Sequence, residues 1–232
     1  MAGVVRPLLA ELVKLWTLPE VWLTCLATVA GAAIVAVTIS ANNLAMGVSS
    51  ATTCIRAVPA YIVLGVAVLG VIASTSEYRG NQIHSSLAAI PNRTVLAAAK
   101  LSAFVLTCSL LSLAAMCAAS GSIGALGDSE VSTVVLAACI HLVAMGVIAI
   151  TAGMAIRGLV GSLTTAIVAL VVAPPVIVVV APFASDWLPS VASANLFLSA
   201  DGASALSSAI SLSTWIVATT GMGYARLAWS DG

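Results

Sequence analysis

Long apolar runs separated by short polar stretches form the pattern of this 232-residue chain. Runs of about 18 or more apolar residues are long enough to cross a bilayer as helices. The period-two alternation of half-buried strands does not occur in the sequence. The pattern therefore predicts an all-α membrane protein, with six transmembrane helices in a single transmembrane domain over residues 1–232. The predicted spans are 21–40, 58–75, 101–119, 131–156, 163–183 and 205–224, with a polar loop over 42–56.

The segment before the first span has a different pattern. Over residues 7–18, Leu8 and Leu12 belong to an apolar set at helical spacing, whereas Glu11 and Lys14 fall on the other side. Helices of this kind lie in the membrane interface with their apolar face toward the lipid. We therefore expect an N-terminal interfacial amphipathic helix. The alternative is a simple cytosolic extension of the first span.

The longest polar interruption, residues 76–100, follows the second span. Ser76 and Glu77 form a helix-start pattern, and Ile83 and Leu87 recur at helical spacing before Pro91 breaks the chain. This pattern predicts a short cytosolic helix between spans two and three. Such a helix suits insertion into a groove on a partner protein. The alternative is a helix that only covers the inner ends of the spans.

Proline-containing stretches lie in the middle of the fifth span and in the segment after it. Pro174 and Pro175 remove two backbone donors in mid-span, so the helix must kink or break there, as a hinge or as a static kink. Trp187 is bracketed by prolines within the longer segment that leads to the last span. That bracketing predicts an outer re-entrant segment between spans five and six. Gly65 and Gly70 permit close contacts between helices.

Composition identifies the solvent of this protein. The chain is 61% hydrophobic and 7% charged, with a mean hydropathy of +1.17, whereas soluble domains carry about 25% charged residues. Membrane lipid must therefore be its main surroundings. Because the formal net charge is +0, the sequence gives no electrostatic basis for binding nucleic acid.

The positions of the basic residues predict the orientation. Six spans place both termini on one side, and seven of the eight Lys and Arg residues fall on that side, with Arg56 as the exception. The opposite side carries Asp128, Glu130, Asp186 and Asp201. Since cytoplasmic loops carry the excess of Lys and Arg, we expect both termini in the cytosol.

The sequence offers little chemistry for catalysis or metal binding. None of the five cysteines forms a CxxC pair and only two histidines occur, so neither a metal site nor a catalytic residue is predicted. His141 lies within the fourth span, where a neutral imidazole hydrogen-bonded to a neighbouring helix is the simplest interpretation. Arg56 is expected to anchor a lipid headgroup or attract an anionic cargo group. No Gly-Lys-Ser or Gly-Lys-Thr occurs, so a P-loop is excluded.

The stretch SEYRGNQIHSSLAAIPNRTVLAAAK resembles the signature region of permease subunits of type-2 ATP-binding-cassette (ABC) exporters, of the six-span type common in actinobacteria. The opening ELVKLWTLPEVWLT and the later WLPSVASANLF are also similar to that family. His84 and Asn92 depart from it, since those positions are often basic. The matching residues are Ser76, Glu77, Tyr78, Arg79, Gly80, Ile83, Leu87, Ala88, Pro91, Arg93 and Lys100.

The resemblance implies a non-catalytic transport subunit in the bacterial cytoplasmic membrane. Such a permease pairs with a second copy or a paralogous permease and docks on two copies of an ABC ATPase, which binds the ATP and Mg²⁺. The cargo would be hydrophobic or amphipathic: a drug, a peptide or a lipid. Under this resemblance the ATPase-docking residues are Glu77, Tyr78, Arg79, Gln82, Ile83, His84, Leu87 and Arg93.

Two other classes of function stand as alternatives. A stand-alone secondary carrier or channel normally needs carboxylates at membrane depth for ion coupling, and the acids of this chain are expected at span ends or in loops. An intramembrane protease needs a nucleophile and a base within the bilayer. His141 is the sole base at depth, and no nucleophile motif is placed to face it.

Overall fold

The computed structural model describes residues 2–47, 50–76, 93–198 and 205–229. Nearly all of these residues are helical, and none of them lies in a strand. The all-α prediction is therefore confirmed for the described part of the chain. The helices are α1 Ala2–Thr17, α2 Pro19–Ala45, α3 Ala51–Thr75, α4 Arg93–Ser122, α5 Ser129–Ile156, α6 Leu159–Ile167, α7 Ala173–Val180, α8 Pro189–Phe197 and α9 Ala205–Trp229.

A π-helical turn and a 3₁₀ helix, which are wider and tighter than an α-helix, join the elements after α6. A π-helical turn, Val168–Val172, connects α6 to α7, so that helix runs without interruption over Leu159–Val180. A 3₁₀ helix, Pro182–Trp187, then leads to α8. The predicted fifth span is thus one helical stretch with a change of hydrogen bonding in its middle.

Within the described ranges, five helical stretches are long and apolar enough to cross a membrane: α2, α3, α4, α5 and Leu159–Val180. They support a multi-pass membrane protein. Helix α9 has 25 residues, which is sufficient length, but it is not among these five. Its many serines and threonines lower its hydropathy, so composition does not confirm a sixth span.

The loop predicted over 42–56 is wrong, because helix occupies most of it. Helix α2 continues to Ala45, and α3 begins at Ala51, where the Ser50 hydroxyl caps it by accepting from the Thr53 amide at 3.3 Å. Polar residues near a helix end satisfy the end groups instead of ending the helix early. As a result, Pro59 lies in the interior of α3.

Helix α3 is the centre of the bundle. Two thirds of its most apolar window, 67%, is buried, compared with 17% for α2 and 11% for Leu159–Val180. It packs most extensively against α5. The two helices approach closely: a Cβ on Gly70 would lie 2.9 Å from the Ile150 amide nitrogen. The α3–α5 pair therefore forms a tightly packed core, and Leu159–Val180 lies at its periphery.

Helix α1 packs against α4, and Glu11 is buried on the side that faces the bundle. Leu8 and Leu12 also pack against the core, whereas Val13 is 61% exposed and Leu9 is also exposed. The Glu11 carboxylate pairs with the Lys14 ammonium at 3.8 Å, which compensates its charge. Polar groups are better placed inward where the outer surroundings are apolar. The prediction that Glu11 lies on the side opposite Leu8 and Leu12 is wrong, because all three turn toward the bundle.

Candidate functional site

A cavity of about 620 Å³ lies between α3, α5, the Leu159–Val180 stretch and α8. Its size falls in the range of roughly 300–1,000 Å³ that is usual for small-molecule sites. Most of its wall is aliphatic or proline. The side chains that bring polar groups to the wall are Arg56, Tyr61, His141, Ser190 and Asn195.

The charged group and the aliphatic part of the cavity wall lie at different depths. Arg56 is about 8 Å along the axis of α3 from Ala51, whereas Val63 is about 18 Å along it, at a rise of 1.5 Å per residue. Leu170 lies about 15 Å from the end of α7 at Val180. The charged group is therefore near one end of the spanning helices, and the aliphatic wall extends toward their middle.

Arg56 joins α3 to the end of α8. Its Nη1 atom donates a hydrogen bond to the carbonyl oxygen of Leu198, the residue that caps the C-terminus of α8. The carbonyl end of a helix carries partial negative charge, so a cation is favourable there. Arg56 thus faces the interior of the bundle and the cavity, in contrast to the lipid-headgroup anchor expected from sequence.

His141 joins α5 to the middle of α8. Its Nδ1 atom lies 2.7 Å from the Ser193 hydroxyl oxygen, and both residues are buried. The expected hydrogen bond from His141 to a neighbouring helix is therefore confirmed. Because His141 is about 18 Å along α5 from Ser129, this bond holds the short helix α8 against the middle of a spanning helix.

Replacing Ser193 with alanine is expected to destabilise the chain by about 1–3 kcal/mol, because it leaves a ring nitrogen of His141 buried without its partner. The melting midpoint of the purified chain in detergent measures this. Ser190→Ala on the same helix is the matched control, since the Ser190 hydroxyl has no hydrogen-bond partner within the described residues. Equal midpoints for the two variants would contradict a structural role for the His141–Ser193 bond.

The π-helical turn also contributes to the wall of the cavity through Leu170 and Val171. The Leu170 carbonyl would accept from residue 174 in an α-helix or from residue 175 in a π-helix. Both positions are proline, which has no amide hydrogen. Neither helical geometry can therefore satisfy this carbonyl, and the wide turn is the local consequence. Backbone of this kind is tolerated at membrane depth where protein buries it or where it lines a water-filled cavity.

The structure brings together four residues that the sequence marked separately: Arg56, His141, Pro174 and Pro175 all line the cavity. Sequence analysis missed their partners Ser193 and Leu198 on α8, and also Ser190 and Asn195. The signal was present in the segment PSVASANLF, where two serines recur three residues apart, as they do on one face of a helix.

The predicted ATPase-docking residues cannot be placed in the same way. Arg93 begins α4, and Glu77, Tyr78, Arg79, Gln82, Ile83, His84 and Leu87 lie outside the described residues. Across the described ranges, no group of three His, Cys, Asp or Glu side chains is close enough to hold a metal ion.

The resemblance to ABC exporter permeases therefore depends on the sequence motif itself. Its central part lies in the stretch between α3 and α4, and the helices on either side have the length and composition of membrane spans. No protein-family model matches the chain, and comparison with curated proteins gives no match either.

Proposed function

We propose that this chain is the membrane-spanning permease subunit of an ATP-driven exporter. It would move a hydrophobic or amphipathic cargo outward with ATP that a separate subunit hydrolyses. The observation that carries the proposal is the position of α3. One end of this helix lines the cavity with Arg56, Ala60, Tyr61 and Val63, and its other end leads directly into the proposed docking stretch.

A helix in that position suits mechanical coupling. Helix α3 is the most buried of the five span candidates in the described ranges and is packed closely on α5. A displacement of its cytosolic end would therefore be transmitted along a rigid pair of helices to the wall of the cavity. Packed elements of this kind switch between discrete arrangements by rigid-body motion.

The opposite wall of the cavity has the features of a moving element. The Leu159–Val180 stretch is only 11% buried, and it contains the π-helical turn and the two prolines. Interrupted helices near the bilayer centre are typical of the binding sites of transporters. Rocking of this wall against the α3–α5 pair would open the cavity to one side at a time.

In this proposal α9 is the sixth span, and the 3₁₀ helix with α8 forms the outer re-entrant segment. The carbonyl of Trp187 accepts hydrogen bonds from the Ser211 hydroxyl at 3.1 Å and the Trp215 indole at 2.7 Å. Other hydroxyls of α9 bond to carbonyls of their own helix, as at Thr214 and Thr219. Hydroxyls bonded in this way make the helix compatible with lipid despite its serines and threonines, although the buried Thr220 hydroxyl has no partner among the described residues.

The remaining parts of the proposal follow from the resemblance and the charge pattern. The permease would pair with a second copy or a paralogous permease and rest on two copies of the ATPase, with ATP and Mg²⁺ held there. Both termini would lie on the cytosolic side of the bacterial plasma membrane, because the basic residues concentrate on that side.

The docking stretch provides the test. Leu87→Asp should abolish copurification of the ATPase while the chain stays in the membrane, since a charge replaces an apolar anchor at the centre of the proposed contact. Ser85→Asp is the control, because it adds the same charge two residues from both Ile83 and Leu87, on the other side of the predicted helix. Copurification unaffected by Leu87→Asp would refute the docking role.

A stand-alone secondary carrier or channel is the second candidate. One observation favours it: the cavity is formed within a single chain. Against it, no carboxylate is among the described residues that line the cavity, and ion coupling normally uses one. Transport by the purified chain in liposomes without ATP or a second protein would establish this alternative.

A further inference from the structure

The charge on the described part of the cavity wall is positive. Arg56 is the single charged side chain among the described residues that line it. A cation facing a cavity within the membrane is costly unless an opposite charge compensates it. Within the described part of the chain, the Arg56 guanidinium is bonded to the Leu198 carbonyl, a neutral group. An anion that entered the cavity would provide the missing compensation.

The guanidinium has capacity for such a ligand. It carries five N–H donors in a planar fork that matches the oxygens of a carboxylate or a phosphate. The bond from Nη1 to the Leu198 carbonyl occupies one donor and holds the group at the cavity wall. The site is therefore pre-organised, because the position of the charge is fixed before a ligand binds.

Beyond Arg56 most of the wall is apolar, although Tyr61 and His141 also line it, with His141 bonded through Nδ1 to the Ser193 hydroxyl. Val63 on α3, and Leu170 and Val171 on the π-helical turn, lie deeper along the spanning helices. A hydrocarbon chain that entered between them would leave water and gain about 0.8 kcal/mol for each buried methylene group. The head of the ligand should therefore be anionic and its tail apolar.

We propose that this cavity binds a single-chained anionic amphiphile, with its carboxylate or phosphate on Arg56 and its apolar chain between Val63, Leu170 and Val171. As a statement about the cargo, the inference rests on the proposed export function. The binding itself needs no ATPase. A failure of docking and a failure of binding are therefore separate results.

Binding to the purified chain tests the proposal. The chain is reconstituted in phosphatidylcholine nanodiscs and titrated with radiolabelled dodecanoate, with empty nanodiscs as background. Dodecyl phosphate, dodecanol and dodecyltrimethylammonium are used as competitors with the same tail. We expect one saturable site per chain, with both anions binding roughly tenfold or more tightly than the alcohol and the cation. The tighter of the two anions identifies the headgroup.

Variants then assign the site to Arg56. Arg56→Gln removes the charge but keeps an N–H group that can donate to the Leu198 carbonyl, and we expect the affinity for dodecanoate to fall roughly tenfold. Arg56→Lys keeps the charge but loses the fork, and an intermediate affinity is expected. Both variants must first show the melting midpoint of the parent chain, and Arg56→Lys decides the test if Arg56→Gln unfolds.

One acid needs its own control. Asp201 lies outside the described residues but follows Leu198 closely in sequence. If its carboxylate compensated Arg56, Asp201→Asn would raise the affinity for dodecanoate several-fold. We expect a change smaller than about twofold. The proposal is overturned by that rise in affinity, by equal binding of dodecanoate and dodecanol, or by an unchanged affinity in Arg56→Gln.

Discussion

Gly70→Ala is expected to lower the melting midpoint of the purified chain, whereas Gly31→Ala leaves it unchanged or raises it slightly. The two glycines lie in apolar helices, α3 and α2, and alanine has the higher helix propensity by about 1 kcal/mol at both. Propensity alone therefore predicts that both substitutions stabilise. A lower midpoint for Gly70→Ala together with an unchanged or higher midpoint for Gly31→Ala would show that contact between helices outweighs helix propensity at Gly70.

The surroundings of the two positions explain the expected difference. A Cβ on Gly70 would lie 2.9 Å from the Ile150 amide nitrogen and 3.1 Å from the Gly146 carbonyl oxygen of α5. These are backbone atoms, which cannot turn aside as a side chain can. The helices must separate, and overpacking of this kind costs about 1–3 kcal/mol. Among the described residues, no atom lies within 4 Å of a Cβ on Gly31.

Thermal unfolding in detergent, followed by the loss of monodisperse protein, measures both variants. Gly70→Val adds two further methyl groups, and we expect little folded chain to be recovered from it, while Gly31→Val remains soluble and folded. Equal midpoints for Gly70→Ala and Gly31→Ala would mean that α3 and α5 are not in close contact. Coupling through a rigid α3–α5 pair would then lose its structural basis.

The sequence predicts the spanning helices well, because each depends on residues that are consecutive along the chain. A run of about 20 apolar residues specifies a spanning helix, whatever its neighbours are, and the approximate positions of α2 to α5 follow from that rule. The ends are harder to place. The asparagines near the end of α2 and the threonines at the start of α3 lie in helix, although their polarity predicts a loop.

The orientation of α1 could not be predicted from its periodicity. Periodicity shows which residues share a face but does not show what that face contacts. Glu11 is buried because Lys14 compensates its charge and because the bundle, rather than water, lies on that side. Leu8 and Leu12 pack against the same bundle, so the polar and apolar sets that the pattern separates share one side of α1.

For the candidate site, the sequence shows the unusual residues but not the contacts that bring them together. Each of its unusual residues is visible in the sequence: an arginine at a span end, a histidine within a span, and two adjacent prolines. Their convergence depends on α8, whose Ser193 and Leu198 make contacts 52 and 142 residues distant along the chain. Single-sequence patterns carry no information about such pairs.

The second prediction with a large effect concerns Pro174 and Pro175. Replacing both with alanine should raise stability and lower transport together. The two alanines restore the amide donors that the carbonyls of Leu170 and Val171 would use in an α-helix. Because the prolines lie in the first turn of α7, where proline is better tolerated, we expect a gain of about 1–3 kcal/mol in the free energy of unfolding, less than the full cost of two interior prolines.

The loss of transport has the same cause. With both carbonyls satisfied, the π-helical turn is expected to revert to α-helix. The wall of the cavity then loses the proposed hinge about which it moves. We expect dodecanoate-stimulated ATP hydrolysis by the permease–ATPase complex to fall about tenfold or more. The melting midpoint of the chain alone provides the second readout.

Pro182→Ala is the matched control for this double variant. Pro182 is the first residue of the 3₁₀ helix, where a missing amide hydrogen costs little, so neither readout should change. A gain in stability with a loss of ATP hydrolysis in the double variant would identify the two prolines as a hinge. A more stable double variant that hydrolyses ATP at the parent rate would instead assign them to a static kink, and the moving wall would have to be sought elsewhere in the bundle.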